Sequence, residues 1–206
     1  VYRLIHVDNL ATLLTRGALH APNTTPRDGL PYRTIHNTAV QASRKLKTIS
    51  CGPRGAIHDY VPFYFGTRSV MLYQLHTGWV KDYRDGQEPL IYLITTIQEV
   101  SASGARWVFS DGHGLATFTL WYDDLAKLDQ VDWKTVNAVY WNDTPQYNDR
   151  QRRKQAEFLV WQQLDWSVIN GIATSNPVVT QRVEAILNRY PNRRRPPVTV
   201  KRGWYY

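Results

Sequence analysis

Apolar positions in this chain come in short runs of two kinds, separated by turn-forming residues. Tyr2–His6 carries the β-branched and aromatic character of a first strand. Asp8 stands as N-cap to the helix that begins Leu10-Ala-Thr-Leu-Leu, with Gly17 as its left-handed stop. Residues 18–56 are interrupted by Pro22, Pro26, Pro31 and Pro53 and leave room for one helix, Thr38–Leu46. Loops of that length in compact domains are usually functional or disordered. Val61–Phe65 reads as an aromatic strand, followed by a helix capped by Ser69 and closed at Gly78. Leu90–Ile97 is the clearest strand, a nearly continuous apolar run suited to a sheet centre. Arg106–Phe109 is another and turns at Ser110-Asp-Gly, while Leu115–Trp121 fits strand or helix and Asp123–Leu128 a helical turn. Gln155–Trp161 reads as a strand with alternating inward and outward faces, and Ile169–Ala173 as a further one. Pro177 opens a helix over Val178–Tyr190 whose Val179, Val183, Ile186 and Leu187 share one face. A last strand spans Val198–Tyr205. Neither a repeat nor a domain boundary is visible. The pattern predicts one α+β domain over residues 1–206 with a mostly antiparallel core.

Composition narrows the class. A hydrophobic fraction of 43% with 13% aromatics excludes a disordered chain. The single cysteine, Cys51, excludes a disulfide framework and a cysteine-rich zinc site, and makes a reducing, cytoplasmic setting the default. Val1–Gly17 lacks the long apolar centre of a secretory leader, and no apolar run is long enough for a membrane span. The net charge of +8 is unevenly placed: residues 1–149 hold 14 basic and 14 acidic side chains, residues 150–206 hold 11 and 3. A one-sided basic field points to a polyanion, of which nucleic acid is the commonest.

Familiar catalytic signatures are missing. There is no phosphate-cradling Gly-x4-Gly-Lys, no Gly-x-Ser-x-Gly elbow and no His-Glu-x-x-His. Gly112-His-Gly114 hints at a dinucleotide loop, but Thr117 stands where the third glycine belongs, so a turn is the better reading. Six histidines without paired ligand spacing predict no metal. Two dense segments stand out instead. Tyr60-Val-Pro-Phe-Tyr-Phe-Gly-Thr-Arg-Ser-Val-Met-Leu-Tyr gathers rings and Arg68 around a strand-to-helix turn, as core packing or as a stacking surface with a phosphate ligand. Arg150-Gln-Arg-Arg-Lys-Gln-Ala-Glu-Phe-Leu-Val sets Glu157 among cations. Such an acid is ionised, either as an ion-pair partner of Arg152 or Arg153 or as a group that steadies a developing cation.

Together with Tyr2-Arg-Leu-Ile-His-Val-Asp-Asn-Leu, Trp107-Val-Phe-Ser-Asp-Gly and Trp204-Tyr-Tyr, these segments resemble, in order, the DarT family. Its members are toxins of bacterial toxin–antitoxin pairs that ADP-ribosylate DNA. The family usually carries Ala-Pro-Arg-Ser-Pro-Met where this chain has Gly66-Thr-Arg-Ser-Val-Met. The resemblance implies an ADP-ribosyltransferase fold, a split and largely antiparallel sheet flanked by helices that holds NAD without a Rossmann motif. By position, Glu157 is similar to the catalytic glutamate, and Arg44 on the covering loop is either a second catalytic group, reaching phosphate or substrate or assisting proton removal, or a solvated residue. His6 resembles the histidine that binds the NAD ribose. Tyr64 resembles the ring that stacks on nicotinamide. Asp8 and Asn9 fall at the nicotinamide side or cap the first helix, and Arg54, Arg68 and Met71 complete the NAD set. The loop over residues 22–46 is expected to cover NAD.

The DNA strand is assigned to residues 110–154, where His113, Trp121, Tyr147, Arg150, Arg152 and Arg153 offer rings and phosphate contacts. The base is thymidine in the first instance, in single-stranded DNA because a stacked base is out of reach. A macrodomain antitoxin follows as partner, with the enzyme a monomer in the cytoplasm. Two alternatives stay open. One is a basic single-strand-binding module without chemistry, and the other a transferase acting on guanine, RNA or protein.

Overall fold

The computed structural model describes residues 1–206. In chain order it contains β1 (Tyr2–His6), α1 (Asn9–Arg16), β2 (Ala18–His20), α2 (Thr38–Leu46), β3 (Tyr60–Tyr64) and α3 (Val70–His76). There follow β4 (Leu90–Ile94), α4 (Ile97–Ala102), β5 (Trp107–Ser110), β6 (Trp121–Tyr122), α5 (Trp133–Asn137) and α6 (Arg150–Lys154). The chain finishes with β7 (Glu157–Trp161), β8 (Gln163–Asp165), β9 (Gly171–Thr174), α7 (Pro177–Asn188) and β10 (Val198–Val200). No helix is long and apolar enough to cross a membrane.

Eight strands form one sheet in the order β10-β9-β4-β1-β3-β7-β5-β6, antiparallel except between β10 and β9. The expected α+β, mostly antiparallel architecture is therefore present. The split is present too. β1 pairs with β4 over five residues, yet meets β3 at the single position Tyr2↔Tyr64. Beyond that bridge the strands part. Pro62 explains why β3 offers little here: its carbonyl accepts from Arg3 Nη1 at 2.9 Å, so it faces the fork. On a strand the N–H of a residue points the same way as its C=O, and proline has none to give.

Packing fills both faces of the sheet. The larger cluster joins α1 and α7 to Ile5, Phe63, Ile91, Phe158 and Val160, and a smaller one gathers Leu4, Leu72, Leu75, Tyr92 and Tyr205 on the opposite side. This corrects the alternation expected for residues 155–161. Phe158 and Val160 enter one cluster and Leu159 another, so β7 is covered on both faces.

Several boundaries also move. The Leu90–Ile97 run ends as a strand at Ile94, and Thr96 caps α4 by accepting from Glu99 N–H at 3.1 Å. The strand expected over Val198–Tyr205 stops at Val200 and a 3-10 turn follows at Arg202–Trp204. Residues 115–120 are neither helix nor strand. β2 and β8 form a separate two-stranded ribbon that the apolar pattern did not announce.

Candidate active site

The fork between β1 and β3 opens into a cleft of about 600 Å³, bordered by Arg3 and Ile5 on one side and Pro62 and Tyr64 on the other. Glu157 closes one end. It is the first residue of β7, directly opposite Tyr64 in register. Its N–H donates to Ser110 Oγ at 3.1 Å, and that hydroxyl donates to Gly112 O at 2.7 Å. Ser110, the last residue of β5, thus fixes where the carboxylate points. Only its place in the Ser110-Asp-Gly turn could have singled it out.

Arg44 comes from α2, across the cleft, and donates through Nη1 and Nη2 to both Glu157 oxygens at 2.7 and 2.6 Å. Both residues are buried, at 8% and 3% exposure. Burial pushes the Glu157 carboxyl up, but the Arg44 guanidinium overrides it and holds the group below its usual 4.5. Arg44 itself is pulled down by desolvation and more than restored by Glu157. The anticipated ion pair with Arg152 or Arg153 is replaced by this one.

Tyr64 faces the same end. Its hydroxyl donates to Met71 Sδ at 3.2 Å, which joins the strand to α3, and burial pushes its pKa up to about 12. A neutral ring edge, a thioether and an ionised carboxylate therefore meet at one spot. Asn9 lines the cleft with its amide saturated: Oδ1 accepts from Arg33 N at 2.7 Å and Nδ2 donates to Arg33 O at 2.8 Å. Thr12 Oγ1 donates to Pro31 O at 2.7 Å, and Arg16 pairs with Asp28 at 2.8 Å. These bonds lay the 28–37 segment along α1 as the cover of the cleft. His20, His36 and His58 also line it and were not singled out from sequence, since isolated histidines carry no spacing signal.

Other expected members sit elsewhere. His6 is buried and is not among the residues that border the cleft. Its Nδ1 accepts from Asp8 N at 3.1 Å, which places the proton on Nε2, 3.3 Å from Asp85 Oδ2. Burial lowers its pKa, against the pull of Asp8. Asp8 makes no side-chain cap to α1; its carboxylate binds Arg33 at 3.3 Å and Arg182 of α7. The reason is charge: two guanidiniums outbid a backbone N–H for a carboxylate. Arg54 is exposed on the turn before β3 and does not border the cleft. Arg68 is also outside it, with Nε donating to Tyr205 O at 2.9 Å.

The basic run before Glu157 is reorganised most. It forms α6, and two of its four cations are already paired with carboxylates. Arg152 donates to Asp149 at 2.7 and 2.8 Å and to Asp111 at 2.9 and 3.3 Å, with its guanidinium 4.7 Å from the Phe118 ring centre. Arg153 pairs with Asp149 at 2.9 Å, and Arg150 donates to Tyr140 O. Lys154 is buried and donates to Val136 O and Ala138 O at 2.7 and 2.8 Å, with burial bringing its pKa down to about 8. Arg152 and Arg153 are thus neutralised by Asp111 and Asp149, while Arg150 and Lys154 meet carbonyl oxygens only. The geometry offers a scaffold for a shallower groove of about 300 Å³, lined by His113, Phe118, Asn148, Gln151, Arg152 and Gln155 among others. His113, Gln151 and Gln155 line the main cleft as well, so the two are continuous. Tyr147 stands 68% exposed on the loop before α6, and Phe118 65% exposed beside Arg152.

A forked antiparallel sheet with a buried glutamate at the fork and a loop folded over the opening defines an NAD-dependent ADP-ribosyltransferase. The model of the family described as "ssDNA thymidine ADP-ribosyltransferase, DarT" matches residues 2–206, and the chain belongs to that family. It is similar to the DNA ADP-ribosyl transferase of Thermus sp. (strain 2.9), at 38% identity over 206 residues, covering 100% of this chain and 95% of the relative. The solved structure of Thermus sp. 2.9 DarT in complex with ADP-ribosylated ssDNA superposes with a TM-score of 0.93 at 38% identity, over 100% of this chain and 95% of that one. The complex of the same protein with NAD+ superposes at 0.87 with 38% identity, over 100% and 96%. A Thermosipho africanus DNA ADP-ribosyl transferase–DNA ADP-ribosyl glycohydrolase fusion protein is 23% identical over 194 residues, 91% of this chain and 45% of the fusion. The enzyme accordingly transfers ADP-ribose from NAD to single-stranded DNA, and a binding module without chemistry is set aside.

Proposed function

We propose that the chain modifies thymidine in single-stranded DNA by a reaction in which Glu157 is the central catalytic group. The observation that carries this is the buried bidentate Arg44–Glu157 pair on the wall of the main cleft, which shares His113, Gln151 and Gln155 with the shallower groove. An ionised carboxylate there stabilises the positive ribose carbon that develops as nicotinamide departs, in a setting where screening by water is weak. Tyr64 and Met71 form the wall against nicotinamide. Arg44 keeps Glu157 charged and oriented, and a guanidinium does not serve as a base. His113 does: burial keeps its imidazole below the usual 6.5 and hence neutral at pH 7, and it borders both cavities. It is placed to take the proton that a thymine ring nitrogen loses on forming the new bond. The DNA strand enters over the shallower groove, with Phe118 and Tyr147 as stacking rings and Gln151 and Gln155 as donors and acceptors.

In the cell this activity is that of a cytoplasmic toxin acting as a monomer, since one chain supplies every group the cleft uses. Its partner is a macrodomain antitoxin that removes the ADP-ribose; the Thermosipho africanus fusion, with its glycohydrolase half, supports that pairing. The test is to incubate the protein with NAD and oligonucleotides differing in one base and to weigh the products by mass spectrometry. One added ADP-ribose on thymidine-containing strands only is expected. Glu157→Ala should remove the mass shift and keep DNA binding; a retained shift overturns the assignment. His113→Ala should flatten the fall of rate at acid pH that a neutral imidazole base imposes.

A further inference from the structure

Arg68, in the turn just before the Ser69 cap of α3, adopts a conformation that side chains avoid, φ +51°, and something must hold it there. The segment Trp204–Tyr206 does. Arg68 Nε donates to Tyr205 O at 2.9 Å, and the Tyr206 hydroxyl donates to Arg68 O at 2.8 Å. That same hydroxyl accepts from Trp141 Nε1 at 2.9 Å. Trp141 is only 7% exposed and lies in the loop between α5 and α6, on the DNA side of the molecule. Tyr73 of α3 packs edge-on against both rings, at 5.7 Å from Trp141 and 5.2 Å from Tyr206. One oxygen atom thus joins the turn that carries Tyr64 and Met71 to the loop that precedes Glu157.

We infer that Tyr206 is a positioning residue, whose hydroxyl sets the DNA-facing loop against the NAD cleft. The Tyr206 backbone is itself fixed, its N–H donating to Gln87 Oε1 at 2.9 Å, so the hydroxyl is a fixed point and not a mobile tether. The loop otherwise hangs on α6: Lys154 grips it near Val136 and Ala138, Arg150 donates to Tyr140 O, and the Gln151 N–H donates to Asp143 Oδ1 at 2.9 Å. Without the indole–phenol bond the loop keeps its ties to α6 but loses its tie to the segment beside the NAD cleft, while Arg68 O loses its donor. The rate then falls through misplacement of the DNA strand, because an ångström of error at the reacting atoms costs about a hundredfold. NAD reaches its cleft as before, since neither Tyr206 nor Trp141 borders it.

This rests on the reading that the 110–154 segment carries DNA. The experiment compares the wild type with Tyr206→Phe, which keeps the ring and removes the oxygen. Expected are a KM for single-stranded oligonucleotide raised about tenfold, or a comparable fall in kcat, with NAD affinity by calorimetry within twofold. Trp141→Phe, which removes the donor from the other side, should give the same pattern. The double variant should be no worse than either single one, as partners in one bond are not additive. Unchanged kinetics in Tyr206→Phe, or losses that simply add, overturn the proposal. So does an equal loss of NAD binding with a large drop in Tm, which marks a merely structural role. If the wild type itself modifies no oligonucleotide, the functional reading fails instead.

Discussion

Two helices of this protein, of twelve and nine residues, begin alike and have almost opposite physics. α7 runs over Pro177–Asn188 and buries Val179, Val183, Ile186 and Leu187 in the main core. α2 runs over Thr38–Leu46 and buries a single residue, Arg44. Each begins at an asparagine cap: Asn176 accepts from Val179 N at 3.0 Å, and Asn37 accepts from Ala39 N and Val40 N at 2.9 and 3.2 Å. After that they diverge. A helix of three turns gains most of its stability from an apolar face, and α7 has one. α2 is docked by an ion pair into a cleft. Apolar burial makes a part permanent, whereas a charged hook helped only by polar contacts, such as Gln41 with His58 at 3.0 Å, makes it releasable.

The contrast can be broken at the hook. Glu157→Gln should lower transfer about a thousandfold, the scale of removing a preorganised electrostatic group. Stability should fall by less than the 3–5 kcal/mol or so typical of a stranded buried charge, because α2 can carry Arg44 out to water. Hydrogen exchange should show the α2 amides unprotected and those of α7 unchanged; protection retained in α2 would contradict the single-hook picture. Leu187→Ala is the mirror experiment, expected to cost about 2–5 kcal/mol by denaturant titration while leaving the turnover of folded enzyme intact.

Acid sharpens the comparison further. Glu157 sits below its usual 4.5, so the ion pair contributes fully above that value and is lost as pH falls through the lowered one. α2 should therefore open at acid pH before the global transition, which exchange at α2 against α7 would reveal. The smallest effects belong to the caps. Asn176→Ala should lower global stability by about 1 kcal/mol. Asn37→Ala should move only the α2 exchange rates, since α2 opens locally without unfolding the rest.

The same distinction governs what could be read from the chain alone. The α7 stripe, the Ser69 cap and the left-handed Gly17 all declare themselves locally, and all are present. The bounds of α2 were equally legible, but its docking was not, because an arginine at a helical position carries no burial signal. The run Arg150–Lys154 concealed its pairing for a related reason. Its acids Asp111 and Asp149 include one 41 positions away from Arg152, and residues 110–154 hold seven acidic against six basic side chains. Charge counts register the cations and miss the pairing. α4 was in fact announced, by Thr96 three residues before Glu99, though hidden under the apolar run of β4. The departure at Gly66 has a cause only the fold reveals: a Cβ there would lie 2.6 Å from Val136 O.

The fork itself has a mechanical meaning. With one bridge at Tyr2↔Tyr64 and one side-chain bond from Arg3 to Pro62, the two halves of the sheet meet at a pivot. A strand of five residues is a lever of about 17 Å, so a rotation of roughly 5° at the pivot displaces its far end by about 1.5 Å. That exceeds the tolerance within which reacting atoms must be held. The stiffness of a joint two residues wide is thus itself a catalytic quantity, and the aperture of the whole enzyme is set where its backbone pairing is thinnest.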